Sequence, residues 1–217
     1  MTFCRWNSVL AAVCAAVALL WALPAAAADI AAYFKAYYTQ QVAPGSYHGP
    51  LGFLSDAANA HIGAEQLLKA SDARTVTVDP ANGYLQIYDG SGTDQTLTMA
   101  LYRKADGSQL LVVGSSDCAD GCNFAVEVFA ATDRLQPLAA ESVLPNITPD
   151  RFIKPGQAGP KNDPKVNYVP ARIGTSLTLK PWYGYETEET MDKKTRAAIQ
   201  DVILNWDRNA GRFVVTR

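Results

Sequence analysis

The chain has 217 residues, with 19 Lys and Arg against 21 Asp and Glu, and carries a formal net charge of −2. That balance offers no concentrated basic surface and argues against nucleic acid as a partner. Hydrophobic residues make up 48% of the sequence, enough for a sizeable core, and no block of five or more like charges forms a charged tail.

The first 28 residues read as a secretory leader. Met1–Ala28 has one early charge, Arg5, then an apolar run from Val9 to Leu23, then Pro24 and Ala26-Ala27-Ala28. This pattern predicts cleavage before Asp29 and a periplasmic or secreted protein, exported in the bacterial, Gram-negative manner. The run is shorter than the ~20 residues of a spanning helix, so no membrane span is expected after cleavage. Cys14 follows Val13, which does not suit a lipoprotein site. Removal of 28 residues from 217 leaves 189, which suits one β-rich domain, 29–217.

Asp29 is a good N-cap, and Ile30, Phe34 and Tyr37 fall on one helical face, so a helix of about three turns is expected, ended by Pro44-Gly45. Ser46–Asn59 reads as an ordered loop. Ala60–Lys69 fits either a short helix or an irregular segment. From Arg74 the period changes to two. Thr75–Val78 and Tyr84–Tyr88 read as strands around an Asn82-Gly83 turn. Asp89–Gly92 turns again; Leu97, Met99 and Leu101 alternate; Ala105–Gly107 turns; and Gln109–Gly114 is an apolar strand. Ser115–Cys122 is the next connection and Phe124–Ala130 the next strand. Turns recurring about every dozen residues predict an antiparallel meander, because short loops cannot join parallel neighbours.

Pro145–Pro170, rich in proline, reads as a linker or a crossover loop. Thr175–Lys180 alternates again, and Trp182-Tyr183-Gly184-Tyr185 precedes the charged run Glu186–Arg196. Ala198–Trp206 reads as a strand, its first half also compatible with a helix. Asn209–Gly211 turns into a last strand, Arg212–Thr216. The expected fold is therefore α+β: a predominantly antiparallel β-meander with the N-terminal helix packed on it.

After loss of Cys4 and Cys14 with the leader, Cys118 and Cys122 remain. A pair in an oxidising compartment reads as a disulfide, here a clip across a hairpin tip. A thiol-disulfide redox pair is the alternative, but redox sites of the thioredoxin type have two intervening residues and a helix N-terminus. The same loop half-matches a calcium loop through Asp120 and Glu127, with Ser116 and Cys118 where carboxylates belong. Asp89-Gly-Ser91-Gly-Thr93 reads as a glycine-rich turn. His48 and His61 are the only histidines. His61 and Glu65 have helical spacing, but no third ligand is local, so no metal site is expected. No serine sits in a nucleophile elbow, no cofactor motif is present, and no cofactor is expected. A hydrolase with scattered residues remains open. Among the aromatics, Trp182, Tyr183 and Tyr185, flanked by Pro, Gly and acids, are candidates for a contact surface, with Asp120 at the tip of the cysteine loop.

Three features together carry a resemblance: the Cys118–Cys122 turn after a strand; Pro170-Ala-Arg-Ile-Gly174-Thr175 before a strand; and Trp206 followed by Arg212-Phe213. On these the chain resembles an uncharacterised family of exported bacterial proteins. The resemblance implies an envelope protein and transfers no catalytic residue. The expected role is a non-enzymatic binding or inhibitor-like module, its partner an envelope protein or a cell-wall component.

Overall fold

The computed structural model describes residues 29–42, 49–118, 121–132, 134–184 and 193–216. The leader, Pro44-Gly45, His48, Asp120 and Tyr185 lie outside them.

Helix α1, Ile30–Gln41, begins where Asp29 accepts a hydrogen bond from the Ala31 amide. Its buried stripe is Ile30, Phe34, Tyr37 and Tyr38, as the helical spacing predicts. Helix α2, Gly52–Asn59, corrects the expectation of a loop over Ser46–Asn59. Phe53, Leu54, Ala57 and Ala58 make a short buried stripe whose signal is masked by the Gly, Pro and Ser before it. One further turn, α3, covers Ala64–Leu67.

Six strands then form a continuous antiparallel meander: β1 Arg74–Asp79, β2 Tyr84–Asp89, β3 Gln95–Arg103, β4 Gln109–Asp117, β5 Asn123–Ala131 and β6 Leu135–Leu138. Between β1 and β2 the chain makes a 3₁₀ turn through Pro80–Asn82, capped by the Asp79 side chain. Gly83 closes that turn at φ 61°, in the left-handed region that only glycine enters without strain. Strands β4 and β5 run further than the pattern predicts. Ser115, Ser116 and Asp117 pair with Ala125, Phe124 and Asn123, so the connection shrinks from Ser115–Cys122 to Cys118–Cys122. Polar serines hide a strand from a reading based on apolar alternation.

The second correction concerns Pro145–Pro170. It is a crossover, but its last six residues are strand β7, Lys165–Pro170. They open a second antiparallel sheet with β8 Ser176–Trp182, β9 Val202–Asp207 and β10 Arg212–Val215, in the order β10-β9-β8-β7. The segment expected as a strand over Ala198–Trp206 starts later: helix α4, Lys193–Ala198, ends where that segment begins, and the strand starts at Val202.

The fold is thus α+β in three layers. Alternate residues of the six-stranded sheet point to opposite faces. Leu85, Ile87, Leu97, Met99, Leu111, Val113 and Phe129 join α1 and α2 in one core. Tyr84, Ala100, Tyr102, Leu110, Val112 and Val128 join Leu177, Leu179, Leu204, Trp206 and Phe213 of the four-stranded sheet in another. Within the central strand β4, Leu110–Val113 is an unbroken apolar run because both faces of the strand are buried there. The Trp206 and Phe213 of the resemblance are cross-strand partners with ring centroids 5.1 Å apart, and the Trp206 indole donates to the Arg103 carbonyl at 2.9 Å. These residues hold the two sheets together.

Gly114 fixes how closely the second sheet approaches the first. A β-carbon there would run into the Tyr168 carbonyl oxygen on β7. Only glycine lets the two backbones meet at this point.

Candidate functional site

The β4–β5 ladder brings Cys118 and Cys122 to a Cα separation of 4.1 Å, and the two are disulfide-bonded. The clip closes the hairpin directly after the last pair, Asp117 opposite Asn123. The tip is further tied to the neighbouring turn, since the Cys118 amide donates to the Asp94 carbonyl. The Thr93 hydroxyl likewise donates to Asp117.

The second candidate segment lies 60 residues further along the chain yet meets this tip. Lys165, on β7, is opposite Trp182 at the end of β8. Its ammonium sits 5.3 Å from the centre of the Trp182 ring and donates to the Cys122 carbonyl at 3.0 Å and to Asn123 Oδ1 at 3.2 Å. The Phe124 ring approaches Trp182 edge-on, centroids 6.3 Å apart. One lysine thus spans the disulfide turn of the first sheet and the tryptophan of the second. The cation–π contact and the edge-on ring contact each contribute about 0.5–1 kcal/mol. Trp182, Phe124 and both cysteines are half-buried, whereas Lys165 and Asn123 are exposed.

The other predicted contact residues part company here. Tyr183 turns inward and is only 8% exposed. Its backbone carbonyl accepts from Asn162 Nδ2, and burial, with Asp163 nearby, pushes its phenol upward. Asp120 and Tyr185 are outside the described residues. Neither Lys165 nor Phe124 stands out in the sequence. A lone lysine among alternating residues has no signature, and Phe124 reads only as a strand residue.

The remaining polar motifs are structural. Asp89 is buried and pairs with Arg74 at 2.7 Å while accepting from Ser91. Burial alone would raise its carboxyl, but the Ser91 and Arg74 hydrogen bonds outweigh that and hold it below the usual range. Glu127 faces the helical layer, within β5, and accepts from the Tyr37 hydroxyl at 2.6 Å. Desolvation raises its carboxyl, opposed by that hydrogen bond. His61 sits in the turn after α2, and Glu65 pairs instead with Lys35 at 2.8 Å. Among the described residues, no three His, Cys, Asp or Glu side chains come together as a metal site.

Between the first sheet and β7 lies a partly open cavity of about 190 Å³. Gln86, Thr96, Thr98 and Ser116 line it from the first sheet, and Asn167, Tyr168 and Val169 from β7. None of these side chains is charged at neutral pH.

No protein-family model matches the chain, and no curated protein matches it in sequence. A solved structure, a domain of an uncharacterized protein from Porphyromonas gingivalis W83, is similar at a TM-score of 0.49 and 10% identity. The match covers 75% of this chain and 88% of that one.

Proposed function

We propose that the protein is an exported binding module without a catalytic role, which engages an envelope protein or cell-wall component through the rim where the disulfide turn meets Trp182. The observation that carries this reading is the Lys165 bridge. It holds Trp182 and Cys122 in one fixed arrangement, although they come from different sheets. A pre-ordered aromatic and cationic rim suits recognition, because little side-chain entropy is lost when a partner docks. The leader reading of Met1–Ala28 supports an envelope location, as does the presence of a disulfide. No observation favours the redox alternative, since each cysteine adjoins a strand and neither begins a helix.

The test is in-cell crosslinking of the tagged chain, with mass spectrometry of what is captured, alongside Lys165→Glu and Trp182→Ala variants. The expected result is one reproducible partner in near-equal amount, lost in both variants while cell fractionation finds the protein in the periplasm. Capture that persists in both variants refutes this rim as the contact surface. A cytoplasmic protein refutes the envelope reading.

A further inference from the structure

We infer that the cavity between the two sheets is a binding site for a neutral sugar residue of an oligosaccharide chain. The floor is built in two cross-strand rows. Gln86, Thr98 and Gly114 are successive partners across β2, β3 and β4. Tyr88, Thr96, Ser116 and Phe124 are successive partners across β2, β3, β4 and β5. The absence of a side chain at Gly114 lets β7 close over the floor and brings Asn167 and Tyr168 in as its wall.

Its chemistry narrows the occupant. Thr98 is engaged within the protein, since it accepts from Gln86 Nε2 at 3.5 Å. Among the described residues, no hydrogen bond ties down the side chains of Thr96, Ser116 or Asn167. Two hydroxyls and an amide, half-buried around one space, offer donors and acceptors together and no charge. No charged side chain lines the cavity, so a carboxylate or an ammonium held there would have no counter-charge among the lining residues. Hydroxyl groups, which donate and accept, match the set. A volume of about 190 Å³ is of the order of one hexose ring.

The surroundings provide for a longer chain. Ser116 is opposite Phe124, whose ring meets Trp182. Asn167 lies two residues from Lys165 on the same side of β7, and Lys165 pairs with Trp182. By register, the cavity lining at Ser116 and Asn167 therefore borders the residues of the aromatic contact, and a sugar beyond the first would extend toward Phe124 and Trp182. On the first sheet the floor opens outward, where Tyr88 is 39% exposed.

This inference deepens the proposed function by naming a ligand class, and it shares Trp182 with it. The full chain is tested by saturation-transfer NMR against chitotriose, cellotriose and maltotriose, with an uncharged extended peptide as comparison. Saturable binding of at least one sugar is expected, with no binding of the peptide. Thr96→Val, Ser116→Ala and Asn167→Leu are each expected to weaken it about fivefold or more, as loss of one hydrogen bond does. Circular dichroism melting confirms that each variant folds, and Ser116→Ala is the smallest change should the others fail. Lack of binding to all three sugars, binding unchanged in all three variants, or preference for the peptide overturns the inference. If sugars fail to bind while crosslinking still captures a partner that depends on Trp182, the inference falls and the contact rim stands. If sugar binding needs Ser116 but not Lys165, the cavity stands without the rim.

Discussion

Replacing Gly114 by alanine tests the packing of the two sheets directly. The added carbon would overlap the Tyr168 carbonyl oxygen and lie 3.3 Å from the Tyr168 carbonyl carbon and 3.4 Å from Pro170 Cδ. None of these is the free end of a flexible side chain. The Tyr168 and Pro170 atoms belong to β7, which is paired along its length with β8. Relief therefore requires β7 to lift from the first sheet, against the burial of Val166 and Tyr168 between the layers. Overpacking of this kind costs roughly 1–3 kcal/mol, and the rigid backbone partner places Gly114→Ala at about 2 kcal/mol. For a chain of this length that lowers the melting midpoint by about 4–8 °C. Gly92→Ala is the control, because nothing lies within 4 Å of a β-carbon there. Thermal melts by circular dichroism decide the matter. If Gly114→Ala melts with the wild type and with Gly92→Ala, the two sheets do not meet at this residue and the cavity beside it has no roof.

Three further outcomes follow from the same geometry. The disulfide closes a loop with a sequence separation of 4, so chain-entropy arithmetic gives about 2 kcal/mol for the clip; the Cys118→Ser/Cys122→Ser variant should melt close to the reduced wild type, and a larger loss would mean the tip organises more than itself. Burial raises the Glu127 carboxyl, so the fold binds this proton more tightly than the unfolded chain does, and the site contributes stability at acid pH that is lost as pH rises through the range between the two values. Glu127→Gln, which can still accept from Tyr37, should gain stability at neutral pH and little at pH 4, as urea titrations at the two pH values will show; equal effects at both would contradict the assignment. Asp89 behaves oppositely: burial opposes its ionisation, but Ser91 and Arg74 hold it ionised, so its contribution is present at neutral pH and lost as pH falls through its lowered value. Arg74→Met, which leaves this buried carboxylate without its cation, should cost about 2–3 kcal/mol at pH 7 by urea unfolding, and less in acid; a pH-independent loss would point to the contact of the Arg74 guanidinium with the Phe53 ring instead.

The sequence by itself carried the local structure. Asp29 and the Ile30, Phe34, Tyr37 spacing marked α1, because a cap and a helical stripe are both local properties. Alternation and the recurring glycine turns marked the meander from Arg74 to Ala131, since short connections leave antiparallel pairing as the solution. Where burial is not advertised by apolar residues, the pattern misled: Ser115–Asp117 are strand because their backbones pair with Asn123–Ala125, not because their side chains alternate. Lys165–Pro170 likewise became a strand by pairing with β8, which lies after it in the sequence. The candidate site depended on tertiary structure still more. Cys122 and Trp182 are each visible in the sequence, but Lys165 joins them only because β7 crosses the first sheet, and β7 crosses there because Gly114 has no side chain. The polar cavity has no sequence signature at all. Gln86, Thr96, Ser116 and Asn167 are ordinary strand residues until two sheets, folded separately along the chain, place them around one space.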